Sequence, residues 1–384
     1  MAGIYIHIPF CRQACYYCNF HFSTSLAQKA PLLAALSAEI DLVSGRTAVE
    51  NGQPYLQHQP VETVYFGGGT PSLLEEAELQ RILQQLRASF PILPGAEITF
   101  EANPDDITTN RLTMWKAAGI NRLSLGVQSF YDSELRWMNR VHNATQSLQA
   151  LHLAREAGFE NITIDLIYGT PLLSDEQWEH TIRQAVELNI PHLSCYALTV
   201  EPSTALHDRI RRKKSPDVNP EKQAVQFLLL MNRLQAAGYE HYEISNFAKP
   251  GMQSRHNTAY WQGRHYLGLG PSAHSFNGVS RQWNVANNAR YIASLKRGEL
   301  PAETEVLTPT QQLNEYIMTS LRTSKGLDLI HVDQAFGQKA VHHISHLIQK
   351  YQHTGKVVQQ NSLLQLTSEG KLFADGIAAD LFVV

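Results

Sequence analysis

The sequence predicts an α/β fold built on parallel strands, and three observations carry that expectation. Six short β-rich runs alternate with helix-patterned segments up to about residue 240, several helical segments stop at a glycine, and polar or glycine-rich residues gather just after the strands. The strands are expected at 4–8, 63–66, 97–101, 122–127, 163–167 and 193–198, and the helices at 30–43, 75–89, 109–118, 145–157, 176–188 and 222–237. Gly119, Gly158 and Gly238 stand where helix C-caps belong, because a residue without a Cβ closes a helix in the left-handed conformation at little cost. Successive β-then-α units require right-handed crossovers, and hence a barrel-like or a doubly wound sheet. The clusters GGGT, EANP, GVQS, DLIYGTP and YALT fall at the ends of the second to sixth strands. In parallel α/β architectures that edge builds the ligand site, so one site fed by all six loops is expected.

After about residue 240 the rhythm gives way to Gly-, Asn- and aromatic-rich sequence, read as an extension packed against the sheet. Helices at 311–321 and 339–351, strands near 356–358 and 363–366, and a short helix from 368 then outline a small winged-helix-like domain. The divisions drawn are 1–238, 239–300 and 301–384. A chain of 384 residues, 43% hydrophobic and 17% charged, has ample length for two or three packed domains and excludes collagen-like and disordered classes. No apolar run approaches the roughly 18 residues of a membrane span, and the first residues carry no signal-peptide pattern, so a cytosolic location is expected. The net charge of -3 supplies no basic surplus for a phosphate backbone. The winged-helix-like domain is therefore read as a packing or partner module, with no nucleic acid as partner.

Three of the four cysteines, Cys11, Cys15 and Cys18, lie within eight residues after the first strand, and Cys195 is remote. That is no disulfide framework, and thiolates crowded on one loop call for a cation. Cys-x3-Cys-x2-Cys provides one ligand fewer than a closed zinc or ordinary iron–sulfur site needs. Spacing alone leaves open an iron–sulfur cluster, a zinc site completed by His7, His21 or Cys195, and an unliganded loop. No second zinc knuckle exists in the chain, and the loop opens onto the strand-end edge. Cys195, inside an apolar strand, is read as a buried small residue. His342, His343 and His346 share helical spacing and are read as surface histidines.

The cysteine motif after the first strand resembles the radical S-adenosylmethionine superfamily. The resemblance implies a partial (β/α)6 barrel with an extension and a small C-terminal winged-helix-like domain. It also implies a four-iron four-sulfur cluster held by Cys11, Cys15 and Cys18, whose open iron takes the amino and carboxylate groups of S-adenosylmethionine. Tyr5-Ile6-His7-Ile8-Pro9-Phe10-Cys11, Gly67-Gly68-Gly69-Thr70-Pro71-Ser72, Gly126-Val127-Gln128-Ser129-Phe130 and Asp165-Leu166-Ile167-Tyr168-Gly169 narrow it. They look like the family that contains oxygen-independent coproporphyrinogen III oxidase and the HemW haem chaperones. The family's S-adenosylmethionine contacts carry over to Tyr5, Gly68, Gly69, Thr70, Glu101, Gln128, Arg140 and Asp165, with Tyr17 and Ala197 beside them.

Two departures argue against the oxidase branch. Phe20 stands where the oxidases have a further cysteine, and their N-terminal segment of several tens of residues is not expected here. Arg255-His256-Asn257-Thr258-Ala259-Tyr260-Trp261 contains an H-N-x-x-Y-W motif that resembles the haem-binding signature of the chaperone branch. His256 would ligate haem iron, with Tyr260 and Trp261 offering flat contact to the macrocycle. The plain alternative is a loop histidine beside core aromatics. The resemblance thus implies haem, and haem-accepting proteins such as respiratory enzymes, as partners. Oxidation of coproporphyrinogen III is the enzymatic alternative, and a zinc-stabilised binding module is the third.

Overall fold

The computed structural model describes residues 2–45, 56 and 59–383. The first six strands are β1 (Ala2–Ile8), β2 (Val61–Gly68), β3 (Ile92–Ala102), β4 (Arg122–Gln128), β5 (Ile162–Tyr168) and β6 (His192–Ala197), each pairing in parallel with the next. The expected helices connect them, at Lys29–Val43, Glu76–Ser89, Thr109–Ala118, Ala144–Glu156, Asp175–Glu187 and Pro220–Ala236. Gly119, Gly158 and Gly238 take left-handed backbone angles at or just past three helix ends.

Strand alternation sorts the side chains into two faces. Ile4, Ile6, Ile8, Val64, Phe66, Ile98, Phe100, Leu123, Leu125, Ile162, Ile164 and Leu193 join the apolar core. The intervening positions carry Tyr5, His7, Tyr65, Glu97, Glu101, Arg122, Ser124, Thr163, Asp165 and Ser194. A closed barrel fills its interior with branched aliphatic side chains, whereas this inner face is polar. A polar, buried face must find hydrogen-bond partners or a ligand.

The extension does not pack on the sheet as expected; its strands join it. These are β7 (Glu240–Glu243), β8 (Asn246–Ala248), β9 (Tyr266–Leu269), β10 (His274–Phe276), β11 (Ser280–Asn284) and β12 (Ala302–Val306). Among the described residues they complete a sheet of order β12-β11-β10-β9-β1-β2-β3-β4-β5-β6-β8-β7. β9 lies parallel against β1, and β8 antiparallel against β6, so both edges of the six-stranded sheet are paired. Strands of three to five residues separated by Gly and Asn carry too short an alternation to read, which is why this stretch looked irregular.

The C-terminal part has its own core of Leu313, Ile317, Ile344, Ile348, Val357, Leu364 and Ile377. The helices Pro309–Leu321 and Gln338–His353 are where they were expected. The wing has three strands, β13 (Leu327–Asp328), β14 (Val357–Gln360) and β15 (Leu363–Leu366), in the order β13-β15-β14. The sequence pattern does not mark the helix Leu329–Phe336, which is capped by the Asp328 carboxylate on the Ile330 amide. No helix among the described residues is long and apolar enough to cross a membrane.

Candidate functional site

A cavity of about 450 Å³ opens at the C-terminal ends of β1 to β6. Its wall carries Cys11, Cys15, Cys18, Tyr17, Gly68, Gly69, Thr70, Glu101, Gln128, Arg140, Asp165 and Ala197, so one space takes in nearly every strand-end residue singled out above. Tyr5 stands behind that wall. Its ring stacks on Tyr65 at 6.1 Å, and its hydroxyl is 3.1 Å from His7 Nδ1. Burial lowers the His7 pKa to about 4, so its imidazole is neutral and serves the loop by donating from Nε2 to the His21 carbonyl at 2.8 Å.

The three cysteines are half-buried and free of disulfides. Thr70 Oγ1 donates to Cys11 Sγ at 3.6 Å, and Arg140 Nη1 donates to Cys15 Sγ at 3.3 Å. Burial pushes the Cys11 thiol up to about 11 and raises Cys18 as well. Burial thus holds the protons on Cys11 and Cys18 until a cation draws these two into thiolates. As they stand, no group of three or more His, Cys, Asp or Glu side chains among the described residues is assembled around a metal position. The donor set nonetheless fits an iron–sulfur cluster: three soft ligands on one loop wall, with a guanidinium and a hydroxyl already aimed at sulfur.

Arg140 binds the strand ends together. Nη2 donates to Asn103 Oδ1 at 2.6 Å and to the Gly126 carbonyl at 2.9 Å, while Nε is buried without a partner. Gln128 closes β4 at a bulge with φ of +66°, a conformation rarely adopted outside Gly and Asn, which costs roughly 1–3 kcal/mol. Strain of that size at a cavity wall fits a side chain fixed for contact with a ligand.

Glu101 accepts from the Tyr65 hydroxyl at 2.8 Å. Burial, with the neighbouring Asp165, raises its carboxyl to about 7 despite that bond, and burial raises Asp165 to about 6 even though Arg122 opposes the shift. With both pKa values above the ordinary carboxylate range, these two groups hold protons the unfolded chain would release, and they contribute less to stability as pH rises toward 7. A cationic ligand reverses the preference, because it favours the ionised pair. For S-adenosylmethionine, the cationic ligand that the resemblance implies, affinity is expected to fall by up to about tenfold per unit as pH drops below about 7, and Glu101→Gln to flatten that dependence. Equilibrium binding across pH checks this, and a wild-type profile identical to that of the Gln variant would refute it.

His256 is placed elsewhere. It begins the helix Arg255–Trp261, which packs against β1 and β2 toward the opposite strand ends from the cysteine loop. Its Nδ1 pairs with Thr63 Oγ1 at 2.8 Å and its ring packs on Tyr65 at 5.2 Å. Burial, then Arg122, lowers its pKa to about 4. Asn257 reaches the cysteine-lined cavity, whereas Tyr260 and Trp261 line a second one. Phe20, 69% exposed, lies on the mouth of the first. Cys195 is buried away from the cavity lining, and His342 and His346 are exposed.

Sequence reasoning passed over Tyr65, Asn103, Arg122, Ser194 and Tyr196, all on the wall. Asn103 and Tyr196 belong to the EANP and YALT clusters and were within reach of the same signal. Tyr65, Arg122 and Ser194 were not, because only the inward alternation of strands separates them from core.

Comparison with known proteins agrees with this geometry. The model of the radical SAM superfamily matches residues 5–185, and that of the HemN C-terminal domain matches 307–373. The heme chaperone HemW of Bacillus subtilis is 34% identical over 380 residues, 98% of each chain. The heme chaperone HemW of Escherichia coli is 40% identical over 277 residues, 71% of this chain and 69% of that one. The solved structure of E. coli coproporphyrinogen III oxidase, HemN, a radical SAM enzyme, superposes with a TM-score of 0.85 at 26% identity, covering 100% of this chain and 90% of that one. Whole-length likeness to the HemW proteins at this level settles the affiliation: the chain belongs to the HemW family of the radical SAM superfamily.

Proposed function

We propose that this protein is a haem chaperone that binds a four-iron four-sulfur cluster, S-adenosylmethionine and haem, and passes haem to acceptor proteins such as respiratory enzymes. The observation that carries this reading is the 34% identity to a heme chaperone along 98% of the chain. Phe20 on the cavity mouth supports it, since the oxidase branch is expected to carry a cysteine there.

Cys11, Cys15 and Cys18 would hold the cluster, leaving one iron open. When bound, the cluster and S-adenosylmethionine supply one-electron radical chemistry. The protein's own part is binding and electrostatics. Gly68, Gly69 and Thr70 would hold the methionine moiety and Glu101 and Asp165 would meet its cationic groups, while Arg140 braces the cysteine loop against β3 and β4. The inner polar face thereby acquires the ligand its buried groups call for.

Anaerobically reconstituted full-length protein tests the proposal. Iron and sulfide analysis is expected to show the cluster in wild type and in Cys195→Ala, and to lose it when Cys11, Cys15 or Cys18 becomes Ala. Offered both haem and coproporphyrinogen III under reducing conditions, the wild type is expected to retain haem and leave the porphyrinogen unconverted. Conversion without haem retention would assign it to the oxidase branch.

A further inference from the structure

Arg209, Arg211, Arg212, Lys213 and Lys214 form a run of cations with no carboxylate inside it. The run starts on the helix Ala205–Arg211 and ends on the turn that follows. Asp208 engages Arg211 at 2.7 Å. The exposed Arg212, Lys213 and Lys214 side chains have neither an ion-pair nor a hydrogen-bond partner among the described residues. Asp217, a little further on, is turned to the Val218 amide. Solvated surface is the ordinary fate of such charges, but the place of this run in the fold sets it apart.

The run is fastened to the cysteine loop. The Leu206 amide donates to the Tyr16 carbonyl at 2.7 Å, and the Arg209 guanidinium lies over the Tyr16 ring, 4.6 Å from its centroid. Tyr16 directly follows Cys15. At the far end of the run, the Ser215 hydroxyl accepts from Trp137 Nε1 at 3.1 Å, and the neighbouring Met138 carbonyl accepts from the Tyr16 amide at 3.2 Å. Beneath, Leu135, Met138, Ile167 and Leu206 form a small apolar core against which Tyr16 and Tyr17 pack. Lys213 turns the chain with φ of +54°, and the Lys213 and Lys214 amides donate back to the Ile210 and Arg209 carbonyls at 2.8 Å each. The cations are therefore presented from a fixed turn beside the loop.

A chain of net charge -3 repels an acidic partner over most of its surface. A basic face attracts such a partner at one place and sets its orientation. Here that orientation brings the partner against the backbone that carries Cys15. The cluster proposed above takes part in one-electron chemistry, so an electron must reach it through the protein surface. Complexes that pass electrons are small and weak, which suits a face of this size. Duplexes and bilayers are anionic as well, but neither has a use for a position beside the thiols.

We infer that the basic face of residues 209–214 docks an acidic one-electron carrier protein, which reduces the cluster held by Cys11, Cys15 and Cys18. This goes beyond haem carriage and rests on the cluster in the proposed function. The carrier loses one electron to the cluster, and no bond forms or breaks.

Anaerobically reconstituted full-length protein, with an acidic flavodoxin as the probe, tests the inference. The wild type is expected to bind the flavodoxin, with affinity falling as salt is raised. Arg212→Glu combined with Lys214→Glu is expected to weaken that binding, and to slow cluster reduction by photoreduced flavodoxin, by roughly tenfold or more at low salt. Iron content, reduction by dithionite and thermal unfolding should match the wild type, because both side chains are exposed and unpaired. Lys296→Glu combined with Lys339→Glu makes the same change in net charge on exposed lysines elsewhere, and is expected to leave binding and reduction near wild type. Equal losses from the two pairs, or no loss from the first, would overturn the docking face. So would a wild type that ignores flavodoxin yet binds phosphatidylglycerol vesicles or duplex DNA through Arg212 and Lys214. Absence of the cluster by iron and sulfide analysis would overturn the proposed function together with the inference.

Discussion

Replacing Glu97 with Ala is expected to lower unfolding free energy by about 3–5 kcal/mol, the range for stripping one partner from a buried ion pair. Glu97 and Arg122 are 5% and 1% exposed, with Oε2 and Nε 3.9 Å apart. The same carboxylate accepts from the amides of Arg255 and His256, each at 3.1 Å, so it stands at the positive end of the helix that carries the H-N-x-x-Y-W motif. Removing it leaves the buried Arg122 guanidinium with Thr163 as its hydrogen-bond partner among the described residues and Asp165 as the nearby opposite charge, and leaves two helix amides without that acceptor. Chemical denaturation gives the size of the loss, and Glu97→Gln should lose less because it retains an acceptor. A change below about 1 kcal/mol for the Ala variant would mean that water enters freely where the sheet closes on the helix.

Gly69→Val is expected to abolish S-adenosylmethionine binding and cluster retention together. A Cβ at Gly69 would meet the Phe10 oxygen at 2.6 Å, the Phe10 nitrogen at 2.8 Å and the Ile8 oxygen at 2.9 Å, and main chain cannot swing aside as a side-chain tip would. The residues it would displace lead directly into Cys11, and the Gly69 amide itself donates to the Ile8 carbonyl at 2.9 Å. From the motif alone, glycine here keeps room for a ligand. In the fold it keeps room for the cysteine loop as well, so the two losses are coupled. Iron content and ligand affinity measured on the same reconstituted preparation check this, and a variant with full cluster and weakened affinity would show that the loop yields without cost.

Much of the site was legible because parallel strands end where their ligands bind, and each strand end carried its own short polar cluster. Cys11, Thr70, Glu101, Gln128, Arg140 and Asp165 are far apart in sequence yet share one cavity for that reason. What could not be read follows from physics of longer range. Strands such as His274–Phe276 are too short to alternate, and their pairing with the sheet depends on neighbours in space. The direction of the His256 ring was equally hidden, since the motif names the residue and only the helix anchored by Glu97 decides which way it faces.

The position of β1 between β2 and β9 bears on the order in which a ribosome can deliver a working molecule. The strand that leads into the cysteine loop is made well before its partner on one flank, Tyr266–Leu269, which follows more than two hundred and fifty residues later. Until those residues emerge, β1 exposes an unpaired edge, and the His7 carbonyl lacks Gly270 packed beside it. Contacts so distant along the chain make for slow closure. A chain cut short before β9 would offer its cysteines on a loop with no finished sheet behind it, so the support of that loop depends on residues far downstream.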